Sequence, residues 1–155
     1  MNRPAVEILV ISLSAPFLIG VYQNGTLLKS YRSSEKTSEA LPPLIQEILR
    51  EYRPVGLYFA RGPGSFMAIK ITYIFLQTLA ITLDLPLLAA DGFAFNQNSP
   101  IKAAGTLYFS KENGKITTRK IDTEKEKIQP FALPEQLDRG IFTKENEPLY
   151  ILPAV

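Results

Sequence analysis

The sequence predicts an α/β fold in which helices pack against a mixed sheet. Residues 6–13 form a nearly continuous aliphatic and β-branched run, which is typical of a strand buried on both faces. Two further predicted strands, 17–22 and 26–32, are joined by Asn24-Gly25, a dipeptide that favours a tight hairpin turn. Helical and strand patterns then alternate along the chain. A β-meander followed by alternating elements predicts a mixed sheet with helices on it.

The first helix is predicted from its capping residues and its apolar spacing. Ser38 is a suitable N-cap, and Pro42 and Pro43 fit an opening turn, where missing N–H groups cost little. The Arg53-Pro54 pair should end this helix. Between these limits, apolar residues recur at helical spacing on one side: Leu41, Leu44, Ile45, Ile48 and Tyr52.

A strand, a loop and a longer helix follow. Residues 55–60 predict a short buried strand that leads into a glycine-rich loop. The second helix is predicted over 66–83, with Pro86 ending it, and residues 87–89 predict a further strand.

The pattern weakens after this point, which divides the chain into two predicted lobes. Residues 1–98 form the larger lobe, and residues 99–155 form a short, partly irregular second lobe. The polar stretch 96–100 is interpreted as the linker between them.

Within the second lobe, two strands are predicted to pair as a hairpin. Residues 103–109 and 115–121 flank Asn113-Gly114, which again favours a tight turn. Residues 149–152 predict a short terminal strand. The stretch 122–147 shows little periodicity, so its fold stays open.

Composition excludes several kinds of chemistry. The chain has no histidine and no cysteine, which removes Ser-His-Asp and Cys-His triads, thiol redox chemistry and zinc sites built from nitrogen or sulfur ligands. Any catalysis would have to rest on carboxylates, lysine, tyrosine or a metal ion held by oxygen ligands alone, and we identify no catalytic, cofactor-binding or metal-ligating residues. The net charge of +2 comes from interspersed residues, so direct nucleic-acid binding through a basic face is not expected.

The predicted location is the cytoplasm. The apolar stretches fall short of the roughly 20 residues that a membrane-spanning helix needs, and no signal-peptide pattern opens the chain. The sequence thus predicts no membrane association.

The helix over 66–83 is apolar on both sides. One stripe suits the sheet beneath it: Ile69, Leu76, Leu79 and Leu83. A nearly opposite stripe repeats every seven residues as Met67, Ile74 and Ile81, with Tyr73 beside it and Lys70 and Gln77 on its flanks. A surface helix of a small domain is normally polar on that side, and exposed apolar surface marks interaction sites.

These six residues are therefore predicted to form a partner interface: Met67, Lys70, Tyr73, Ile74, Gln77 and Ile81. Seven-residue spacing suits packing against another helix. Two alternatives stay open: the second lobe covers this stripe, or a second copy of the chain packs on it as a homodimer.

The loop before this helix reads Arg61-Gly62-Pro63-Gly64-Ser65. Backbone amides at a helix N-terminus can hold an anion, but Gly-Pro-Gly is more often plain turn chemistry. Ser65 is interpreted as an N-cap and not a nucleophile, because the chain supplies no histidine base.

Four stretches resemble the TsaB (YeaZ-type) family. Residues 61–71, followed by a long helix and Asp84-Leu85-Pro86-Leu87, closely resemble that family's "GPGSFTGLRIG … GIPL". Residues 8–14 are similar to its "ILAIDTS" and residues 37–45 to "HSE-LLPLI"; residues 147–152 are similar to "P-YLR". The resemblance is strongest over positions 6–95.

The resemblance implies an actin/sugar-kinase/Hsp70-like fold with an RNase H-like lobe. It also implies a non-catalytic scaffold subunit that pairs, through the helices of its N-terminal lobe, with a TsaD-like catalytic paralogue. With a TsaE-like ATPase, that family installs threonylcarbamoyl on a tRNA adenosine, so tRNA would be contacted only through the complex. A homodimeric interaction module, or a peptidase or small-molecule kinase of the same fold, is the alternative.

The sequence also departs from the family pattern. Ser12 stands where the family has Asp, Thr37 where it has His, Met67-Ala68 where it has Thr-Gly, and Lys70 where it has Arg. Loss of the carboxylate at position 12 speaks against autonomous ATP hydrolysis.

Overall fold

A β-meander and two strand–helix units build the first sheet. The computed structural model describes residues 2–151. The elements are β1 (Ala5–Ile11), β2 (Phe17–Gln23), β3 (Thr26–Ser33), α1 (Thr37–Glu51), β4 (Arg53–Ala60), α2 (Phe66–Leu83) and β5 (Leu87–Ala90).

The five strands lie in the order β3-β2-β1-β4-β5. Strands β1, β2 and β3 pair antiparallel, whereas β4 pairs parallel with both β1 and β5. Ile8 sits at the junction, opposite Val21 on one side and Leu57 on the other. Each parallel connection needs a crossover, and α1 and α2 provide them. The predicted mixed α/β sheet is confirmed.

Alternation along β1 sends its side chains to two different cores. Val6, Ile8 and Val10 pack with the buried sides of α1 and α2. Leu9 and Ile11 face the opposite side, where they pack with residues from the end of the chain. We call residues 131–149 the strap, because they cross this second face of the sheet.

The strap is irregular but anchored at both edges of the sheet. Near β3, Gln136 bridges Thr26, and near β5, Thr143 exchanges two backbone hydrogen bonds with Ala89 at 2.9 Å each. Between these points the Tyr22 hydroxyl donates to the carbonyl of Pro134 at 2.7 Å. Most of the stretch 122–147, which shows little sequence periodicity, thus covers the second face of the sheet.

The capping predictions for the two helices were partly wrong. Helix α1 begins at Thr37 after Lys36, whose carbonyl accepts from two N–H groups of the first turn, so Ser38 lies inside the helix and caps nothing. Pro42 and Pro43 consequently lie in the helix interior rather than in its opening turn.

Both helices end just before the residues predicted to stop them, as expected. Helix α1 stops at Glu51, and the Arg53-Pro54 pair already belongs to β4. Helix α2 stops at Leu83 because Asp84 takes a left-handed conformation (φ 54°), two residues ahead of Pro86.

The second sheet has three strands: β6 (Ile101–Ala104), β7 (Leu107–Glu112) and β8 (Lys115–Lys120). The hairpin around Asn113-Gly114 is confirmed. The single strand predicted over 103–109 is wrong, because Gly105 adopts a left-handed conformation (φ 57°) and turns the chain between β6 and β7.

Two further predictions concern the segments around this sheet. Within the stretch 96–100, Asn96 and Ser99 are buried and Gln97 and Asn98 are exposed, and its role as a linker between lobes stays a prediction. The predicted strand over 149–152 is not formed at 149–151, and Leu152 lies outside the described residues. The division of the chain at residues 98 and 99 stays a prediction.

Helix α2 is long and apolar enough to pass as a membrane span by length and composition alone, with a mean hydropathy of 1.6 over 18 residues. The expectation that every apolar run is too short is therefore wrong for this helix. Its place argues against that role, because it connects two neighbouring parallel strands and buries Leu76 against their sheet.

Candidate protein–protein interface

The two crossover helices differ on their outward sides. The exposed residues of α1 are mainly polar or charged: Ser38, Glu39, Pro43, Gln46, Glu47, Arg50 and Glu51. The exposed residues of α2 contain one charge: Phe66, Met67, Lys70, Ile74, Thr78, Ile81, Thr82 and Leu83. Only α1 has the amphipathic character of an ordinary surface helix.

The three residues of the seven-residue repeat are the most exposed apolar side chains of α2. Met67 is 66% exposed, Ile74 52% and Ile81 72%. Lys70 is exposed beside them. No part of the chain within residues 2–151 covers this face, so the alternative in which the second lobe shields it is wrong for the described residues. Its role as an interface stays a prediction.

The residues that flank the exposed stripe are partly buried. Tyr73 is half-buried and packs on Phe59, with ring centroids 6.0 Å apart, and Gln77 is half-buried. On the inner side, Leu83 was predicted to face the sheet but is 41% exposed, because the helix ends there. Thr72 and Ala80 are buried instead.

Two threonines make the outward side of α2 less polar than its sequence implies. The Thr78 hydroxyl donates to the carbonyl of Ile74, and the Thr82 hydroxyl donates to the carbonyl of Thr78, both at 2.8 Å. Hydroxyls bonded back to the preceding turn are less available to solvent or to a partner. The sequence analysis did not predict these hydrogen bonds, although threonines four residues apart on the exposed side of a helix could have indicated them.

The apolar surface extends beyond the helix at its N-terminal end. The exposed ring of Phe66 makes an edge-on contact with Tyr150, which is 45% exposed, at a centroid distance of 5.3 Å. Neither residue was predicted to belong to the interface. Tyr150 comes from the far end of the chain, a contact that no local pattern reveals.

The glycine loop attaches the start of α2 to the end of β1. Ser65 caps the helix as predicted, its hydroxyl accepting from the Ala68 N–H at 3.5 Å, and its own N–H donates to the carbonyl of Leu13 at 2.9 Å. A Cβ on Gly64 would lie 2.6 Å from that carbonyl oxygen, so glycine is required. The amide of Ser65 is thus already used within the fold.

The first half of the loop joins the strap. The Arg61 guanidinium donates through Nε to the carbonyl of Glu147 at 2.7 Å, and its Nη2 lies 3.9 Å from Glu145. Gly62 has φ 131° and is buried beside Leu149, and Pro63 is buried next to it. These contacts support the turn interpretation of the loop.

Two of the positions that depart from the family pattern lie in contact. The buried hydroxyl of Ser12, at the end of β1, lies 2.9 Å from the hydroxyl of Thr37, at the start of α1. A neutral hydroxyl pair therefore occupies this junction. Within residues 2–151, no group of three or more carboxylates is placed to hold a metal ion.

A cleft of about 510 Å³ adjoins the stripe where the two helices begin. Met67, Ala68 and Ile71 form one wall, and residues 34–38 form another. The exposed stripe of α2 therefore borders a hollow at its N-terminal end.

Two solved structures share this fold. The chain has the fold of YeaZ from Pseudomonas aeruginosa, with a TM-score of 0.60 and 18% identity over 74% of this chain and 64% of that chain. An "uncharacterized protein with similarity to peptidase YEAZ from Pseudomonas aeruginosa" matches with the same TM-score and identity, over 74% of this chain and 63% of that chain.

The expected resemblance is therefore confirmed at the level of the fold, and the low identity fits a diverged sequence. The match spans slightly less than two thirds of the length of each solved protein. No protein-family profile matches the sequence. No curated protein matches it either.

Proposed function

We propose that this chain is a non-catalytic scaffold subunit for threonylcarbamoylation of tRNA, pairing with a TsaD-like catalytic protein through the outward side of α2. The observation that carries the proposal is the exposure of Met67, Ile74 and Ile81 on a YeaZ-type fold. Under this proposal, residues 1–98 are the RNase H-like lobe of an actin-like fold. The complex works in the cytoplasm with a TsaE-like ATPase and contacts tRNA as an assembly.

The side-chain chemistry supports a scaffold. The chain has no histidine or cysteine, so a nucleophile such as Ser65 has no imidazole base, and its hydroxyl caps α2. At the end of β1, the position at which family members carry a carboxylate holds Ser12, hydrogen-bonded to Thr37. These observations weigh against the peptidase and kinase alternatives.

The energetics favour burial of the stripe in a complex. Fully burying an aliphatic or methionine side chain stabilises by roughly 1.5–3 kcal/mol. Met67, Ile74 and Ile81 are each more than half exposed, so most of this stabilisation is unused in the isolated chain. A partner helix that packs along the stripe would gain it, because residues seven apart line one side of a helix.

The test is complex formation with the TsaD-like protein from the same source, measured by size-exclusion chromatography with light scattering. Wild type is expected to form a heterodimer, and Ile74→Glu to weaken it about 100-fold or more, because a carboxylate would be buried without a partner. Leu28→Glu is the matched control, since Leu28 is 48% exposed and lies on β3, at the opposite edge of the sheet from β5.

An unchanged complex in Ile74→Glu would remove α2 as the interface. A wild-type chain that binds no TsaD-like protein but forms a concentration-dependent dimer, lost in Ile74→Glu, would favour the homodimeric module instead. The seven-residue stripe is the observation behind this second candidate, because a self-complementary stripe can pack on its own copy across a two-fold axis.

A further inference from the structure

A second concave site lies between the two sheets and adjoins the cleft beside α2. Its volume is about 360 Å³, within the usual range for small-molecule pockets. One side is the loop between β1 and β2, residues 13–16, and the other side includes β6 and residues 128–131. It shares only Ser14 and Ala15 with the cleft beside Met67.

The charges of this cavity are all positive. Arg32, from β3, and Lys102, from β6, line it, and no aspartate or glutamate does. Neither cation forms an ion pair within residues 2–151. Two cations that converge on one cavity without a carboxylate favour an anionic ligand.

The rest of the lining is largely apolar, which sets a second requirement for the ligand. Leu18 is the cross-strand neighbour of Arg32, and Tyr108 is the neighbour of Lys102, so each cation stands next to an apolar or aromatic side chain. Ile101 and Phe131 also line the cavity. This arrangement suits a ligand with an apolar ring and an anionic group at one end.

We propose that this cavity binds a small organic anion, a phosphate or a carboxylate, that carries a flat apolar body. Arg32 and Lys102 hold the anion, and the apolar lining contacts the ring. The site does not depend on the partner proposed for α2, so the two proposals succeed or fail separately.

Isothermal titration calorimetry on the full chain tests this site with two probe series. 4-Aminobenzoate carries the anion and the ring, and aniline lacks the anion. AMP and adenosine repeat the comparison for a phosphate. We expect 4-aminobenzoate or AMP to bind at least tenfold more tightly than its neutral counterpart, and the series that binds identifies the anion.

Single substitutions then locate the binding. Arg32→Ala and Lys102→Ala are each expected to weaken the anionic probe about tenfold, the cost of one charge-assisted hydrogen bond. Arg50→Ala and Lys115→Ala are the matched controls, because both residues are exposed and lie outside the cavity.

All four substituted side chains are exposed, so folding should be unaffected. No binding of either anionic probe at about 1 mM, or binding that Arg32→Ala and Lys102→Ala leave unchanged, would overturn the proposal.

Discussion

The two faces of the five-stranded sheet are covered by different kinds of structure. One face carries α1 and α2, whose backbones satisfy their own hydrogen bonds. The other face carries the strap, which has almost no regular structure and bonds to the strands instead. A helical cover can therefore vary its outward side freely, whereas an extended cover has to be tied to the sheet it crosses.

This difference explains how α2 can expose an apolar stripe at little structural cost. Its fold depends on the inner side, where Leu76 and Ile69 are buried, and its outer side is left free for a partner. The strap has no comparable freedom. The ring of Phe142 packs edge-on against that of Tyr58, with the ring centroids 4.8 Å apart. Arg139 donates a hydrogen bond to the carboxylate of Glu7 in the sheet.

The largest expected effect tests whether the strap covers the sheet as tightly as the helices do. Phe142→Ala should lower the free energy of unfolding by about 3–5 kcal/mol, and Leu76→Ala by about 2–5 kcal/mol, because both side chains are buried. Ile141→Ala, next to Phe142 but 40% exposed, is the control and should change it by less than about 1 kcal/mol. Chemical denaturation measures all three.

If Phe142→Ala lowers the free energy of unfolding by less than about 1 kcal/mol while Leu76→Ala causes the expected loss, the strap does not cover the sheet as tightly as the helices do. Such a result would show that the strap rests loosely on the sheet and that its hydrogen bonds at the two edges hold it alone.

A second prediction concerns the polar anchor beneath the strap. Burial by itself raises the pKa of Glu7, but hydrogen bonds from Arg139 and Tyr58 outweigh it, and the pKa is lowered from its ordinary 4.5. Burial, together with the bond to Glu7, raises the pKa of Tyr58 to about 12. Both directions indicate that the carboxylate stays ionised and bonded at neutral pH.

A carboxylate whose pKa is lowered by folding contributes stability above its unfolded pKa, and that contribution is lost as the pH falls through the folded value. Glu7→Gln should therefore cost about 1–3 kcal/mol of unfolding free energy at pH 7. The difference between wild type and the variant should shrink as the pH falls below 4.5. Glu47→Gln, an exposed change on α1, is the control. A pH-independent difference would contradict this role.

The contrast between the covers also separates what could be predicted from what could not. Strands β1 to β5 and both helices follow from local signals: apolar runs, the Asn24-Gly25 turn and helical spacing. The bounds of α2 were predicted correctly as 66–83 because Ser65 and the apolar run define them locally. The strap could not be predicted, because its conformation depends on contacts such as Arg139 with Glu7, 132 residues apart.

The same distinction applies to the candidate sites. The exposed stripe was predicted from spacing alone, since Met67, Ile74 and Ile81 repeat every seven residues. The contact between Phe66 and Tyr150, and the cavity between Arg32 and Lys102, join distant parts of the chain. Only the fold brings such residues together, so no local pattern contains them.

The smallest expected effect sharpens the comparison at the ends of the two helices. Ser65→Ala should cost about 0.5–1 kcal/mol, because its hydroxyl caps α2, and the 3.5 Å separation from the Ala68 N–H places it at the weak end of the capping range. Ser38→Ala should change stability by less than about 0.5 kcal/mol, because Ser38 lies inside α1 and makes no capping bond. Thermal and chemical denaturation of the two variants measure the difference. Equal losses of stability in the two variants would show that Ser38 caps α1 in solution. Helix α1 would then begin where the sequence alone predicts.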